Sequence, residues 1–177
     1  MNLRWRRSAF TVAALGLVVG CFLPLSPEVE GVFFSISALL VMTLVAAILC
    51  AAAAWLPLRP SIAAGLIAVL VACDVTLAML QVPEIAGDAA TGFWLLVLAN
   101  WLAAGLCVAQ LASLDPRGKV ARRALDLAIP LLFGVFVIYL WEVTVRGFGV
   151  PSVLMPSPSA TAARFVAALP TLGEDFV

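Results

Sequence analysis

Residues 31–56 read GVFFSISALLVMTLVAAILCAAAAWL, without a single charged side chain. A helix rises 1.5 Å per residue, so roughly 20 apolar residues cross the hydrocarbon core of a bilayer, which is about 30 Å thick. The stretch is therefore long enough to span a membrane. Inside the bilayer a single segment satisfies its own backbone hydrogen bonds only as a helix, so the stretch predicts a transmembrane helix.

The composition of the whole chain agrees with this prediction. Of its 177 residues, 64% are hydrophobic and only 11% are charged, and the mean hydropathy is +1.16. Soluble domains are about 45–50% apolar and about 25% charged. The chain is therefore predicted to be an integral membrane protein. Its formal net charge of zero argues against a nucleic-acid partner, which would require a basic surface.

Four further stretches resemble the first in length and apolar character. We predict an all-α fold, a polytopic membrane helix bundle with five transmembrane helices and a short amphipathic interfacial helix. The five predicted spans are Ser8–Leu25, Gly31–Leu56, Ser61–Leu80, Phe93–Ser113 and Leu125–Val145.

The charged residues predict the orientation of these spans. Short cytoplasmic loops collect lysine and arginine. Eight of the ten basic residues fall at the N-terminus or in the second and fourth loops: Arg4, Arg6, Arg7, Arg59, Arg117, Lys119, Arg122 and Arg123. All the charged residues of the first and third loops are acidic: Glu28, Glu30, Glu84 and Asp88. We therefore expect a cytoplasmic N-terminus, with the segment after Val145 outside.

The outer segment, residues 146–177, is rich in proline and predicts one short helix. Ser157 is a suitable N-cap, and Pro158 suits the first helical position, where a missing N–H costs nothing. Apolar residues then recur at helical spacing before Pro170. The pattern predicts an amphipathic helix of about twelve residues at the membrane surface, too short to span it.

Asp74 is the one acidic residue deep inside a predicted span, and a charge there is costly. Asn100, on the next antiparallel span, lies at nearly the same depth. We predict that Asp74 and Asn100 form a hydrogen bond across this hairpin. A structural role is favoured over a proton or cation relay, because a relay needs a chain of ionisable groups.

Two further motifs have structural interpretations. The Gly16-x-x-x-Gly20 spacing permits close packing of helix backbones, and packing within the chain is favoured over homodimerisation. Glu142 precedes Arg146 by four residues, the favourable order for an ion pair on a helix.

The chain has no histidine, and it contains no phosphate-binding glycine loop or other catalytic motif. Its four cysteines lie inside apolar runs without a CxxC pair, which predicts small buried hydrophobic side chains. We predict no catalytic residue, no cofactor and no metal site.

The run from Leu125 onward contains the pair Trp141-Glu142 and, after a short segment, Met155-Pro156-Ser157-Pro158-Ser159. These motifs resemble the N-terminal part of the inner-membrane permease subunits of binding-protein-dependent ABC importers. The motif positions are Trp141, Glu142, Pro156, Ser157 and Pro158. The resemblance is to the nitrate, sulfonate and taurine type and covers about 50 of the 177 residues.

The resemblance implies a domain organisation. Residues 1–124 would be an N-terminal extension of four spans with a basic cytoplasmic loop. Residues 125–145 would be the first permease helix, and residues 146–177 a periplasmic segment that begins a truncated transport domain. The family's core helices and its Glu-Ala-Ala loop, which docks on the ATPase, have no counterpart here. We therefore expect a fragment, a truncated gene product or half of a split permease.

The resemblance also implies partners and a location. A cognate ATPase subunit, a periplasmic solute-binding protein and a second permease subunit, expected to form a homodimer, would complete the importer in the lipid bilayer of the bacterial inner membrane. The solute stays open: sulfonates, nitrate and nitrogen-heterocycle vitamin precursors all fit the family. The alternative function is a non-transporting membrane scaffold or accessory subunit, and a membrane-embedded enzyme is the least favoured interpretation.

Overall fold

The computed structural model of the protein describes residues 3–28, 30, 37–56, 85, 87–115 and 118–175. Within these ranges the regular secondary structure is helical. The five helices are α1 (Leu3–Gly20), α2 (Ser37–Trp55), α3 (Thr91–Ala112), α4 (Lys119–Gly147) and α5 (Pro158–Asp175).

Three of the described helices are long and apolar enough to cross a membrane: Ala38–Trp55 in α2, Thr91–Ala112 and Lys119–Gly147. They correspond to the second, fourth and fifth predicted spans. The third predicted span, Ser61–Leu80, lies outside the described residues. A membrane protein with at least these three helices is compatible with the structure.

The first predicted span, Ser8–Leu25, has the wrong bounds. Helix α1 begins earlier, at Leu3, and it ends at Gly20. A glycine is often found where a helix stops, and Pro24 disfavours helical geometry at the residue before it. The helix therefore includes the three N-terminal arginines, and its apolar part is shorter than predicted.

Helix α5 is longer than predicted. It was expected to end before Pro170, but it continues through this residue to Asp175. A proline inside a helix removes one backbone hydrogen bond and often bends the helix, but it does not always end it. Helix α4 likewise continues through Pro130.

Helix α1 packs closely against α3 through its two glycines. A Cβ atom added at Gly16 would lie 3.0 Å from the Cβ of Ala99, and one at Gly20 would lie 2.6 Å from Cδ2 of Leu96. No side chain fits at Gly20 unless Leu96 moves. This confirms that the Gly16-x-x-x-Gly20 spacing serves packing within the chain.

The ends of the helices gather into two groups. At one end, the chain segments 23–25, 87–92 and 146–149 meet, and we call this the junction end. There the N–H of Gly92 donates to the carbonyl of Pro24 at 2.9 Å, and the N–H of Gly87 donates to the carbonyl of Arg146 at 2.9 Å.

The opposite end, which we call the arginine end, contains the N-terminus of α1 and the C-terminus of α2. The guanidinium of Arg7 lies 5.3 Å from the ring centre of Trp55, a cation–π contact. Helix α2 therefore ends at the arginine end, whereas α3 starts at the junction end. Trp55 at the end of α2 and Thr91 at the start of α3 therefore lie at opposite ends of the bundle, as a crossing between them requires, and the span Ser61–Leu80 stays a prediction.

The hydrophobic core lies between α1, α2 and α3. Cys21, Cys50 and Cys107 are buried in it, as small hydrophobic side chains should be. Cys73 lies outside the described residues. Helix α4 contributes less to the core, and three of its four buried residues lie near its C-terminus: Val143, Val145 and Gly147.

We predict that Gly92→Ala destabilises the protein. A Cβ at Gly92 would lie 2.6 Å from the carbonyl oxygens of Leu23 and Pro24, and a backbone cannot move aside as easily as a side chain. Such overpacking costs about 1–3 kcal/mol, and each kcal/mol lowers the Tm of a domain of this size by about 2–4 °C. Circular dichroism in detergent measures this Tm.

Gly105→Ala, on the same helix, is the matched control. A Cβ there would meet nothing within 4 Å, and alanine is the better helix former by about 1 kcal/mol. Its Tm should be unchanged or higher. An equal loss of stability in both variants would contradict the close packing at Gly92.

Candidate functional site

The candidate site lies at the junction end, where α4 ends and α5 begins. Glu142 and Arg146 share one face of α4, and the Arg146 Nε lies 2.5 Å from the Glu142 Oε1. This confirms the ion pair predicted from the four-residue spacing. Both side chains are partly exposed, so the pair alone adds little stability.

The Glu142 carboxylate also reaches across 17 residues to α5. It accepts a hydrogen bond from the backbone N–H of Ser159 at 2.8 Å and another from the Ser159 hydroxyl at 2.6 Å. Arg146 donates to the same hydroxyl oxygen at 2.8 Å. One carboxylate therefore joins the last turns of α4 to the first turn of α5.

Ser157 completes this arrangement. Its hydroxyl oxygen accepts from the N–H of Ala160 at 3.3 Å, which confirms Ser157 as a cap of α5. The hydroxyl oxygens of Ser157 and Ser159 lie 3.1 Å apart. Because the single proton of the Ser159 hydroxyl goes to Glu142, Ser157 is the donor between the two serines.

We call Glu142, Arg146, Ser157 and Ser159 the latch. A carboxylate at the N-terminus of a helix accepts hydrogen bonds from backbone N–H groups that have no partner inside the helix. Its negative charge also interacts favourably with the positive end of the helix dipole. Beyond the latch the surface of α5 is exposed, with Phe165 61% and Val166 62% accessible. The latch therefore holds α5 at the end of α4.

The structure brings together the predicted motif residues. Glu142 contacts the segment that contains Ser157, while Pro156 and Pro158, both half-buried, flank this serine. Trp141 lies beside Glu142 in the chain and is partly exposed on α4. The two halves of the sequence motif thus meet in space, although twelve residues separate them.

The predicted hydrogen bond between Asp74 and Asn100 stays a prediction, because Asp74 lies outside the described residues. Asn100 itself is 1% exposed, inside the bundle on α3. A buried amide in a membrane helix needs hydrogen-bonding partners, so its position agrees with an intramembrane polar contact.

The sequence includes Ser159 as the last residue of the Met155–Ser159 motif, but its hydrogen bonds to Glu142 and Arg146 were not predicted. Their signal was present: an acidic residue lies in the last turns of one helix, and a short proline-rich segment then leads to the first turn of the next helix, whose N–H groups have no partners within that helix. Spacing along a single helix pairs Glu142 with Arg146 only. The second role of Glu142 depends on the path of residues 148–156, which helical periodicity does not describe.

The Ser159 hydroxyl donates to the Glu142 carboxylate, and the polar groups of the latch bind one another and join the two helices. Among the residues that the structure describes, no group of three or more His, Cys, Asp or Glu side chains could hold a metal ion. No protein-family model, curated protein or solved structure matches the chain.

We expect Glu142→Ala to loosen the start of α5. The backbone amide of Ser159 would lose its charged acceptor, and losing such a cap costs about 1.4 kcal/mol, a tenfold change in an equilibrium constant. Hydrogen exchange of this amide, read by mass spectrometry, should therefore be about tenfold faster.

Ser152→Ala serves as the control, since this exposed serine lies in the same loop and outside the latch. Its exchange should match the wild type. Unchanged exchange in Glu142→Ala would show that the latch does not hold α5.

Proposed function

We propose that this chain is a membrane-spanning permease component of an ATP-driven importer in the bacterial inner membrane, and that it moves a small anion or similar solute. One observation carries the proposal. The Trp141-Glu142 pair and the Met155–Ser159 segment, which together carry the resemblance to importer permeases, are joined by the latch. The two parts of the motif bind each other, so they form one structural unit, which supports the view that the resemblance does not arise from apolar composition alone.

In this function α4 is the first helix of the transport region, and α5 lies at the outer membrane surface. The chain binds no nucleotide itself. A cognate ATPase supplies energy, a periplasmic binding protein delivers the solute, and a second permease subunit completes the pathway. The mechanism is alternating access, in which the pathway opens to one side of the membrane at a time.

The distribution of charge supports the proposed orientation. The described basic residues at the start of α1 and at the start of α4 belong to the arginine end: Arg4, Arg6, Arg7, Lys119, Arg122 and Arg123. The acidic residues Glu28 and Asp88 follow or precede helices at the junction end. By the positive-inside rule, the arginine end is cytoplasmic and the junction end is periplasmic.

A non-transporting accessory subunit is the second candidate. The hydrophobic core supports this second function, because it is formed mainly by α1, α2 and α3, and α4 contributes little to it. These helices could form a scaffold independently of transport.

Uptake separates the two functions. Cells lacking the gene should lose high-affinity uptake of one solute among labelled nitrate, sulfonates such as taurine, and nitrogen-heterocycle vitamin precursors, and the wild-type gene should restore it. We expect Glu142→Ala to restore uptake only in part, because α5 is no longer held on the transport helix. Ser152→Ala should restore it fully.

Wild-type uptake of every solute in the deletion strain would favour the accessory function. That function would gain further support from genomic DNA that encodes no Glu-Ala-Ala loop downstream and no neighbouring ATPase gene.

The orientation has its own test in single-cysteine variants of a chain whose four cysteines are replaced by alanine. We expect a membrane-impermeant maleimide to label Ser152→Cys on intact cells. Lys119→Cys should be labelled only after permeabilisation, because the positive-inside rule places it in the cytoplasm. Equal labelling of the two positions on intact cells would contradict the proposed topology.

A further inference from the structure

Three arginines lie within the first two turns of α1, at the arginine end: Arg4, Arg6 and Arg7. The first turn of this helix contains no acidic residue, and none of the three arginines forms an ion pair with a residue that the structure describes. The N-terminus of a helix also carries a partial positive charge of its own. The positive charges at this position are therefore uncompensated within the described part of the chain, and they favour an anion beside them.

Arg6 has a buried hydrogen-bond donor without an acceptor. It lies one turn before Phe10, on the face of α1 that continues through Ala13 and Leu17, and these three side chains are buried in the core. The Nε atom of Arg6 is shielded from solvent and hydrogen-bonds to no described residue. A charged donor that loses its water without gaining an acceptor is costly, and most buried polar groups have a partner. An anion that approaches from the end of the bundle would supply the acceptor.

Arg7 extends this site to α2. Its guanidinium lies 5.3 Å from the ring centre of Trp55, the last residue of α2. A cation–π contact uses the flat face of the guanidinium, so the N–H groups at its edge stay available. These N–H groups donate to no described residue. Arg6 and Arg7 thus bring donors to the same end of the bundle, one on the core-facing side of α1 and the other beside α2.

The arginine end lies at the level of the lipid headgroups. Trp5 and Trp55 are 61% and 66% exposed there, and tryptophan is enriched at membrane–water interfaces. The anion that a membrane provides at this level is lipid phosphate, which arginine binds through parallel N–H···O bonds. We propose that Arg6 and Arg7, with the charge of Arg4, form a binding site for the phosphate of an anionic phospholipid.

Such a site differs from the general attraction between basic residues and an anionic membrane. General attraction depends on charge alone, so every basic residue at one membrane surface contributes alike and lysine can replace arginine. The proposed site depends on the Nε–H of Arg6, which a lysine does not have. Charge and donor geometry can therefore be separated by substitution.

The test is the binding of dioctanoyl-phosphatidylglycerol to the full chain in a non-ionic detergent, measured by native mass spectrometry. We expect Arg6→Gln and Arg7→Gln each to weaken binding about tenfold, the effect of losing a hydrogen bond between charged groups. Arg6→Lys should weaken it by a similar factor although the charge is kept. Dioctanoyl-phosphatidylcholine, whose ammonium group offsets its phosphate, should bind the wild type about tenfold more weakly than phosphatidylglycerol.

Arg123→Gln is the matched control. Arg123 is exposed near the start of α4 at the same end of the bundle, and the substitution removes the same charge as Arg6→Gln. Its Kd for phosphatidylglycerol should stay within about twofold of the wild-type value, because solvent screens exposed charges at a distance. Circular dichroism without lipid checks that each variant is folded. If Arg6→Lys does not fold, Arg7→Gln compared with Arg123→Gln decides the question.

Three results would overturn the proposal. Wild-type affinity in a folded Arg6→Lys variant would show that only charge matters. Equal loss of affinity in Arg123→Gln and in the α1 variants would show a general attraction of the basic surface. If inorganic phosphate binds as tightly as phosphatidylglycerol, the site takes a free anion rather than a lipid. The measurement requires neither uptake nor a partner subunit, so its outcome is independent of the importer function.

Discussion

The close approach of α1 to α3 is the contact on which the rest of the structure depends. Within a bilayer, helices gain little from the hydrophobic effect, because lipid tails are as apolar as leucine, and they associate through close packing. Gly16 and Gly20 let the two backbones approach until Ala99 and Leu96 fill the space. This contact fixes where α1 ends and α3 begins, and so it positions the loops of the junction end to which α4 and α5 attach.

Much of this architecture could be predicted from the sequence, because the bilayer imposes simple rules on it. The absence of charge over residues 31–56 predicts a membrane-spanning helix, and the structure has a helix at Ser37–Trp55 that is long and apolar enough to cross a membrane. The cap at Ser157 and the pairing of Glu142 with Arg146 each depend on neighbours within four residues, so they can be predicted without the rest of the chain. The glycine spacing in α1 predicts a close helix contact, but it does not predict that the partner is α3.

Two kinds of feature could not be predicted from the sequence. Some are contacts between residues far apart in the chain, and others are positions where a residue disfavours a structure without preventing it. Pro170 disfavours a helix but does not end α5, so the predicted end of α5 was wrong. The bond between Glu142 and Ser159 requires the intervening loop to fold back by a particular path. Asp74 and Asn100 are predicted at equal depth, which makes each a possible hydrogen-bonding partner of the other. Depth alone does not show whether the two side chains face each other, because it does not give the rotation of each helix about its axis.

The uneven attachment of α4 has a mechanical consequence. Its fully buried residues cluster near Gly147, where loop 87–92 and the ring of Trp94 hold it, while the first half of the helix is largely exposed. Because α4 is held near one end, a small tilt of the helix moves its other end by a large distance. Over the 28 steps from Lys119 to Gly147, about 42 Å, a tilt of about 5° displaces Lys119 by about 4 Å and leaves Gly147 in place. A force applied at Lys119 would therefore act on the attached end of α4 as a torque.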